Sequence, residues 1–269
     1  LLILQPTGTV GTMRLPGTLD ESGIGHKDCG ANQWHPDAAL GNAEGEIDKD
    51  APIATRFTRR FTYEGEARIS RKVEIADYGK DRLFIKAERA RALRLMVDEK
   101  ECDVFLKGTL STPYIFELKG IEPGAHELTF ISDNSYPDMP KDAICYSSAA
   151  TDETQTNWNG IVGELVMYTK PQSFISGLYV YPRVKFENNR NKINSAEDFV
   201  LEVCVETELA DKSGYRLVLS SDALNEDISV EVPAGKEGKI RFSDLQPAGN
   251  VKLWDEACGI LYDMTAKLY

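Results

Sequence analysis

The sequence predicts an all-β protein built of two β-sandwich domains, and three observations lead to this prediction. Apolar residues alternate with polar ones wherever the pattern is regular, and this is the period of a half-buried strand. Turns rich in Pro and Gly separate the alternating runs. No stretch has the pattern of a long amphipathic helix. The fold class therefore follows from the strand periodicity, the turns and the lack of a helical pattern.

The alternating runs extend along most of the chain. In the first half they occupy residues 83–87, 93–97 and 128–130, and in the second half residues 199–206, 215–219 and 228–232. The clearest turns lie at residues 122–124, 212–214 and 233–235. In the second half we also expect Trp254 and Tyr262 to be core residues of a sandwich.

The boundary between the domains is predicted near Pro171. A strand over residues 164–168 ends at Thr169-Lys170-Pro171, and proline interrupts a strand ladder. We therefore predict one domain at residues 1–169 and a second at 170–269, the latter with the length and strand spacing of an immunoglobulin-like sandwich. The first domain is predicted to be a jelly-roll sandwich. Its two long segments outside the strands, 20–54 and 133–160, would form a binding rim.

Composition and charge narrow the classes of partner. The chain has 269 residues, 42% of them apolar, and a net charge of −12, which disfavours nucleic acid and anionic membrane surfaces. No apolar run approaches the roughly 18 residues of a membrane-spanning helix. The five cysteines and three histidines show no metal-ligand spacing. The sequence thus predicts no membrane span, no metal and no cofactor.

The segment 151–163 carries the strongest indication of a binding site. It concentrates carboxylates, amides, hydroxyls and one indole directly before an apolar strand. Sugars are bound by planar carboxylate and amide groups that bracket adjacent hydroxyls, and by an aromatic face against the ring. The segment therefore favours carbohydrate binding. The alternative is a polar loop closed by a structural Trp.

Several segments resemble the sugar-binding domain of glycoside hydrolase family 2. The similar stretches are Leu15-Pro16-Gly17-Thr18-Leu19-Asp20-Glu21 and residues 61–67, 72–75, 89–98, 110–114 and 152–160. In the second half, residues 252–256 and 261–265 resemble the closing motif of the family's next domain. Two positions depart from the pattern: Glu99 replaces the usual Gly, and Gly259-Ile260 replaces the proline expected before Leu261.

The resemblance implies both an architecture and a function. The family includes β-galactosidases, β-glucuronidases and β-mannosidases, in which a galactose-binding-like jelly roll and an immunoglobulin-like sandwich precede a (β/α)₈ barrel. The catalytic glutamates lie on that barrel. We therefore expect this chain to be the non-catalytic front of a longer retaining exo-glycosidase, with no catalytic residue of its own. Its partners would be a β-glycoside ligand and the barrel of the same polypeptide, and a homo-oligomer is left open.

The resemblance also implies which side chains of the second rim segment meet the sugar. In the family this loop reaches over the barrel mouth, so we expect the following residues at or next to the terminal sugar: Asp152, Glu153, Gln155 and Asn157. Thr154 stands where the family often has an acidic sugar ligand, so a neighbour is expected to take over that contact. Adjacent carboxylates on an extended chain point to opposite sides and cannot flank one anomeric centre as an acid–nucleophile pair.

Three further residues belong to the predicted substrate-binding set. Trp158 has two interpretations, a platform for a sugar ring or a structural plug. Asp20 and Glu21 close the Leu-Pro-Gly-Thr turn and are expected to approach the same rim.

Two other functions remain open at this stage. The chain fits a free-standing carbohydrate-binding module, and it fits a structural or adhesion protein made of two sandwiches. The sugar is open as well, with a galactoside first and a glucuronide second. The compartment is also open, with the periplasm or secretion favoured over the cytoplasm.

Overall fold

The computed structural model describes residues 2–5, 8–27, 60–136, 157–185, 196–210, 213–233 and 238–269. In these ranges the regular elements are β-strands and one short 3₁₀ turn, Ala196–Asp198, so the all-β prediction is confirmed. The described chain divides into two compact units, Leu1–Thr169 and Lys170–Tyr269. None of the described segments forms a helix that is long and apolar enough to cross a membrane.

The first unit is a two-layer sandwich. Its strands are β1 (Leu2–Gln5), β2 (Gly8–Thr12), β3 (Gly17–Thr18), β4 (His26–Lys27), β5 (Phe61–Thr62), β6 (Glu66–Ile75), β7 (Arg82–Ala87), β8 (Ala92–Val97), β9 (Lys100–Glu101), β10 (Asp103–Leu106), β11 (Tyr114–Glu117), β12 (Gly124–Asp133), β13 (Gly160–Ile161) and β14 (Leu165–Lys170). One sheet has the order β2-β1-β6-β12-β8-β9 and the other β10-β11-β7-β14. Two short pairs, β13-β3 and β4-β5, lie outside these sheets.

Alternation along the strands forms the core of this unit. Strands β6 and β12 pair antiparallel over ten residues, from Ile75 opposite Gly124 to Glu66 opposite Asp133. The residues predicted to share a face are buried in one cluster: Leu83, Ile85, Ala87, Leu93, Leu95 and Val97. Because successive side chains of a strand point to opposite faces, burial of one parity fixes the register of each sheet.

The second unit is an immunoglobulin-like sandwich of two three-stranded sheets. Its strands are β15 (Phe174–Val184), β16 (Phe199–Glu208), β17 (Tyr215–Ser221), β18 (Ile228–Val232), β19 (Gly238–Leu245) and β20 (Met264–Leu268). The sheets have the orders β15-β16-β19 and β18-β17-β20. Four side chains without solvent exposure form the centre of the core: Val203, Val205, Leu217 and Leu219.

The expectation that Trp254 is a core residue is wrong. Its side chain is 66% exposed, and Leu261 nearby is 85% exposed. Both lie in the segment between β19 and β20, which contributes no strand to either sheet. The segment is held locally, for example by the backbone N–H of Lys252, which donates to the Tyr262 hydroxyl over 2.8 Å. An aromatic residue in such a segment has no sheet face to pack into.

Candidate functional site

A short pair of strands joins two segments that are far apart in the sequence. In the antiparallel pair β3–β13, Thr18 lies opposite Gly160 and Gly17 opposite Ile161. The backbone N–H of Leu19 continues this contact and donates to the Asn159 carbonyl over 2.9 Å. The turn that carries Asp20 and Glu21 is therefore fixed beside the end of the second rim segment.

The turn after β3 orients its two carboxylates differently. Glu21 Oε2 accepts hydrogen bonds from the backbone N–H and the hydroxyl of Thr18, at 3.1 and 3.3 Å. The Glu21 backbone N–H in turn faces the Thr18 hydroxyl at 3.5 Å, an arrangement like a helix capping box. The half-buried Asp20 carboxylate has no hydrogen bond to any other described residue. Glu21 is thus part of the turn, while Asp20 is available to a ligand.

Trp158 rests on a buried arginine. The guanidinium carbon of Arg91 lies 4.6 Å from the centroid of the indole ring, and Arg91 is only 3% exposed. Arg91 Nη1 also donates to the Tyr136 hydroxyl over 2.8 Å, and the Tyr114 hydroxyl donates to the Arg91 carbonyl over 2.8 Å. Burial raises the pKa of the Tyr136 phenol. A desolvated cation–π contact of this kind contributes about 2 kcal/mol, so it holds the indole in place.

The turn after β3 and the Trp158 side chain line the same pocket. A cavity of about 360 Å³ is lined by Pro16, Gly17, Thr18, Asp20, Glu21, Trp158 and Val162. Of the residues predicted from the sequence, the structure thus brings together Asp20, Glu21 and Trp158. Two carboxylates beside an indole can accept hydrogen bonds from adjacent hydroxyls while an apolar ring face contacts the aromatic plane. These are the types of group that the sequence leads us to expect at a sugar site.

Asn157 is buried and does not line this pocket. It is 1% exposed, and its Nδ2 donates to the Asn134 carbonyl over 3.0 Å. The Asn134 side chain donates in return to the carbonyls of Asn157 and Tyr63, at 2.9 and 2.8 Å. Asn159 Nδ2 donates to the Gly65 carbonyl over 2.8 Å. This network ties the residues before β13 to the end of β12, and it holds Asn157 inside the protein instead of in the pocket.

The other predicted contacts, Asp152, Glu153, Thr154 and Gln155, lie outside the described residues. Sequence reasoning did not single out Arg91, Tyr136, Asn134 or Asn159. Arg91 falls within the family-like stretch 89–98 and Asn159 within 152–160. Asn134 and Tyr136 fall within the predicted rim segment 133–160, but nothing in the pattern distinguishes them from its other residues. Within the described ranges no group of three or more His, Cys, Asp or Glu side chains is placed to hold a metal ion.

Comparison with known proteins shows where this fold occurs. No protein-family model and no curated protein sequence matches the chain. Solved structures do match: a β-mannosidase from Dictyoglomus thermophilum has a TM-score of 0.60 at 12% identity, covering 99% of this chain and 33% of that one. A family 2 β-galacturonidase from Eisenbergiella tayi has a TM-score of 0.54 at 19% identity, covering 77% and 34%. A Bacteroides uniformis β-glucuronidase has a TM-score of 0.55 at 15% identity, covering 84% and 28%.

The fold of this chain is therefore one that family 2 glycoside hydrolases contain. The chain spans about a third of the length of these enzymes. At such low identity the likeness concerns the fold, and the residues of the pocket carry the functional argument.

Proposed function

We propose that this chain is the non-catalytic N-terminal part of a retaining exo-glycosidase of family 2, and that its first domain shapes the rim of the active site. The single observation that carries the proposal is the pocket formed where β3 pairs with β13. It combines Asp20, Glu21 and Trp158 on a fold that family 2 enzymes contain. The catalytic glutamates would be supplied by a (β/α)₈ barrel in the same polypeptide.

In this proposal the pocket holds hydroxyls rather than cleaving bonds. A carboxylate that accepts two hydroxyl protons forms short, charge-assisted hydrogen bonds, and Asp20 has the free oxygens for this role. Trp158 lines the pocket and would contact the apolar face of the sugar ring. Asp152, Glu153 and Gln155 would extend the polar surface from the same segment, and Thr154 would leave the acidic contact to a neighbour.

The native length of the polypeptide tests the enzymatic part of the proposal. An antibody against this chain should detect in source-cell lysate a band about two to three times heavier than 29.9 kDa, because the similar enzymes are about two to three times longer. The 269-residue chain alone should release no nitrophenol from nitrophenyl β-glycosides. A band at 29.9 kDa, or measurable turnover by the chain alone, contradicts the proposal.

The native-length enzyme tests the role of the pocket. Asp20→Asn preserves the turn, because the Asp20 carboxylate supports no hydrogen bond within the described structure. We expect it to raise KM about tenfold with little change in kcat, since a charge-assisted hydrogen bond contributes about 1.5–3 kcal/mol. Glu74→Gln, on the exposed side of β6, is the matched control. If both variants have the same KM as the wild type, the pocket does not contact the sugar.

A further inference from the structure

A second cavity lies between the two sheets of the first unit. It measures about 330 Å³ and is walled by the apolar side chains of Leu15, Val73, Ile85, Leu128, Phe130 and Leu165. Ile85, Leu128 and Phe130 are buried residues of the core cluster, so the cavity extends between the sheets. Its size is that of a small-ligand pocket, which typically begins at about 300 Å³. Pro16 lines both this cavity and the proposed sugar pocket, but none of these six residues lines the sugar pocket.

A cation stands at a core-facing position of this cavity. Along β6, Ala67, Ile69, Val73 and Ile75 all belong to the core cluster or pack against it. Arg71 has the same parity as these residues and therefore projects from the inner face of the sheet. Its antiparallel partner on β12 is the buried Leu128, which has the same orientation. Arg71 is thus the one charged residue among the inward-facing positions of β6.

Arg71 has no partner among the described residues. No described carboxylate, carbonyl or hydroxyl forms a hydrogen bond or ion pair with it. Its side chain is exposed because the cavity opens to solvent at this point. A guanidinium carries five N–H donors in a fixed fork that matches carboxylates, sulfonates and phosphates. Beside an apolar wall, such a group can hold the charged end of an amphipathic ligand.

The opposite wall fixes where the cavity opens. Phe84 and Tyr168 stack on the face of their sheet that points away from the core cluster, with ring centroids 5.7 Å apart. Ile85, which follows Phe84, and Met167, which precedes Tyr168, therefore face the cavity, and Met167 is 37% exposed. Met167 lies on β14, which is the last strand of its sheet in the described structure. A ligand can enter along this edge without any strand being displaced.

We propose that this cavity binds a small amphipathic anion, with its apolar body between the sheets and its anionic group on Arg71. The ligand class is an aromatic or aliphatic organic anion with one carboxylate, sulfonate or phosphate. Phe130 and Ile85 contact the apolar body. Arg71 selects the anion over its uncharged analogue. The site adjoins the proposed sugar pocket at Pro16 but uses neither Asp20, Glu21 nor Trp158, so it does not depend on the function assigned to that pocket.

The test uses two fluorescent probes on the 269-residue chain. The anionic probe is 1-anilinonaphthalene-8-sulfonate, and the neutral one is N-phenyl-1-naphthylamine, which lacks the sulfonate. We expect saturable binding of the anion that Arg71→Gln weakens about tenfold, as for loss of one charge-assisted contact. Arg71→Lys, which keeps the charge but loses the fork, should weaken binding less than Arg71→Gln does. Arg68→Gln, which removes a cation from the outer face of the same strand, is the matched control and should bind like the wild type.

Methyl NMR locates the bound probe independently of any variant. In chain labelled with ¹³C-methyl methionine, the anionic probe should shift the Met167 signal and leave that of Met264, in the second unit, in place. Octanoate should compete with the probe, and octanol should compete much less. Binding that leaves the Met167 signal unchanged, or equal affinities of the Arg71→Gln and Arg68→Gln variants, overturns the proposal. Arg71 would then be only a solvated side chain at the mouth of the cavity.

Discussion

A carboxylate–imidazole pair anchors the turn between β8 and β9. Asp98 Oδ2 lies 2.6 Å from His126 Nδ1, and Asp98 Oδ1 accepts the backbone N–H of Glu127 over 2.9 Å. His126 Nε2 lies 2.8 Å from the Glu122 carbonyl. Only the doubly protonated ring can donate to both neighbours. The hydrogen bond to Asp98 therefore raises the pKa of His126, while the backbone N–H of Glu127 and then His126 lower the pKa of Asp98.

This pair makes stability depend on pH. Because the His126 pKa is raised on folding, its contribution is complete below the unfolded-state pKa and is lost as pH rises through the folded-state pKa. We expect NMR titration of the His126 ring to give a pKa above 6.5, and Asp98→Asn to bring it down. Asn accepts the Glu127 N–H and tolerates the positive φ of 47° at this position, so the turn should survive. The same His126 pKa in both proteins would exclude the pair as the cause.

At the scale of elements, the β3–β13 pair depends on a glycine. Gly160 has φ of 138°, and a Cβ there would lie 2.4 Å from the Gly17 carbonyl oxygen. Gly124 has φ of 137° but meets nothing within 4 Å, so it matches Gly160 in backbone conformation alone. We expect Gly160→Ala to lower the free energy of unfolding by about 2 kcal/mol more than Gly124→Ala does. Urea denaturation measures both, and equal losses would show that close approach does not hold the pair.

Strand faces can be predicted from the sequence, whereas contacts between distant elements cannot. Alternation over residues 83–87 and 93–97 predicts buried strand faces, because the face to which a side chain points depends only on its place along the strand. From the sequence we expect Asp20 and Glu21 to approach the rim that carries Trp158, but the contact itself depends on a two-residue strand pair with no periodic signal. The support of Trp158 by Arg91 and of Asn157 by Asn134 joins residues far apart in the chain. Such contacts follow from tertiary packing, which periodicity does not encode.

At the scale of the whole molecule, each compact unit has its own core. The second unit's cluster consists of residues between 175 and 268, around Val203 and Leu217. A sandwich that buries its inner faces against each other needs no other part of the chain to form a core. We therefore propose that the units are separate domains, as residues 1–169 and 170–269.

A fragment of residues 170–269 should accordingly fold alone. We expect a β-type circular dichroism spectrum and one cooperative urea transition, as is usual for a domain of this size. Within the fragment, Leu217→Ala should lower the free energy of unfolding by about 3 kcal/mol, because it leaves a cavity at a site without solvent exposure. Leu261→Ala, at a position 85% exposed, should change it by less than about 0.5 kcal/mol. A fragment without a cooperative transition, or equal effects of the two substitutions, would mean that this core does not sustain a domain by itself.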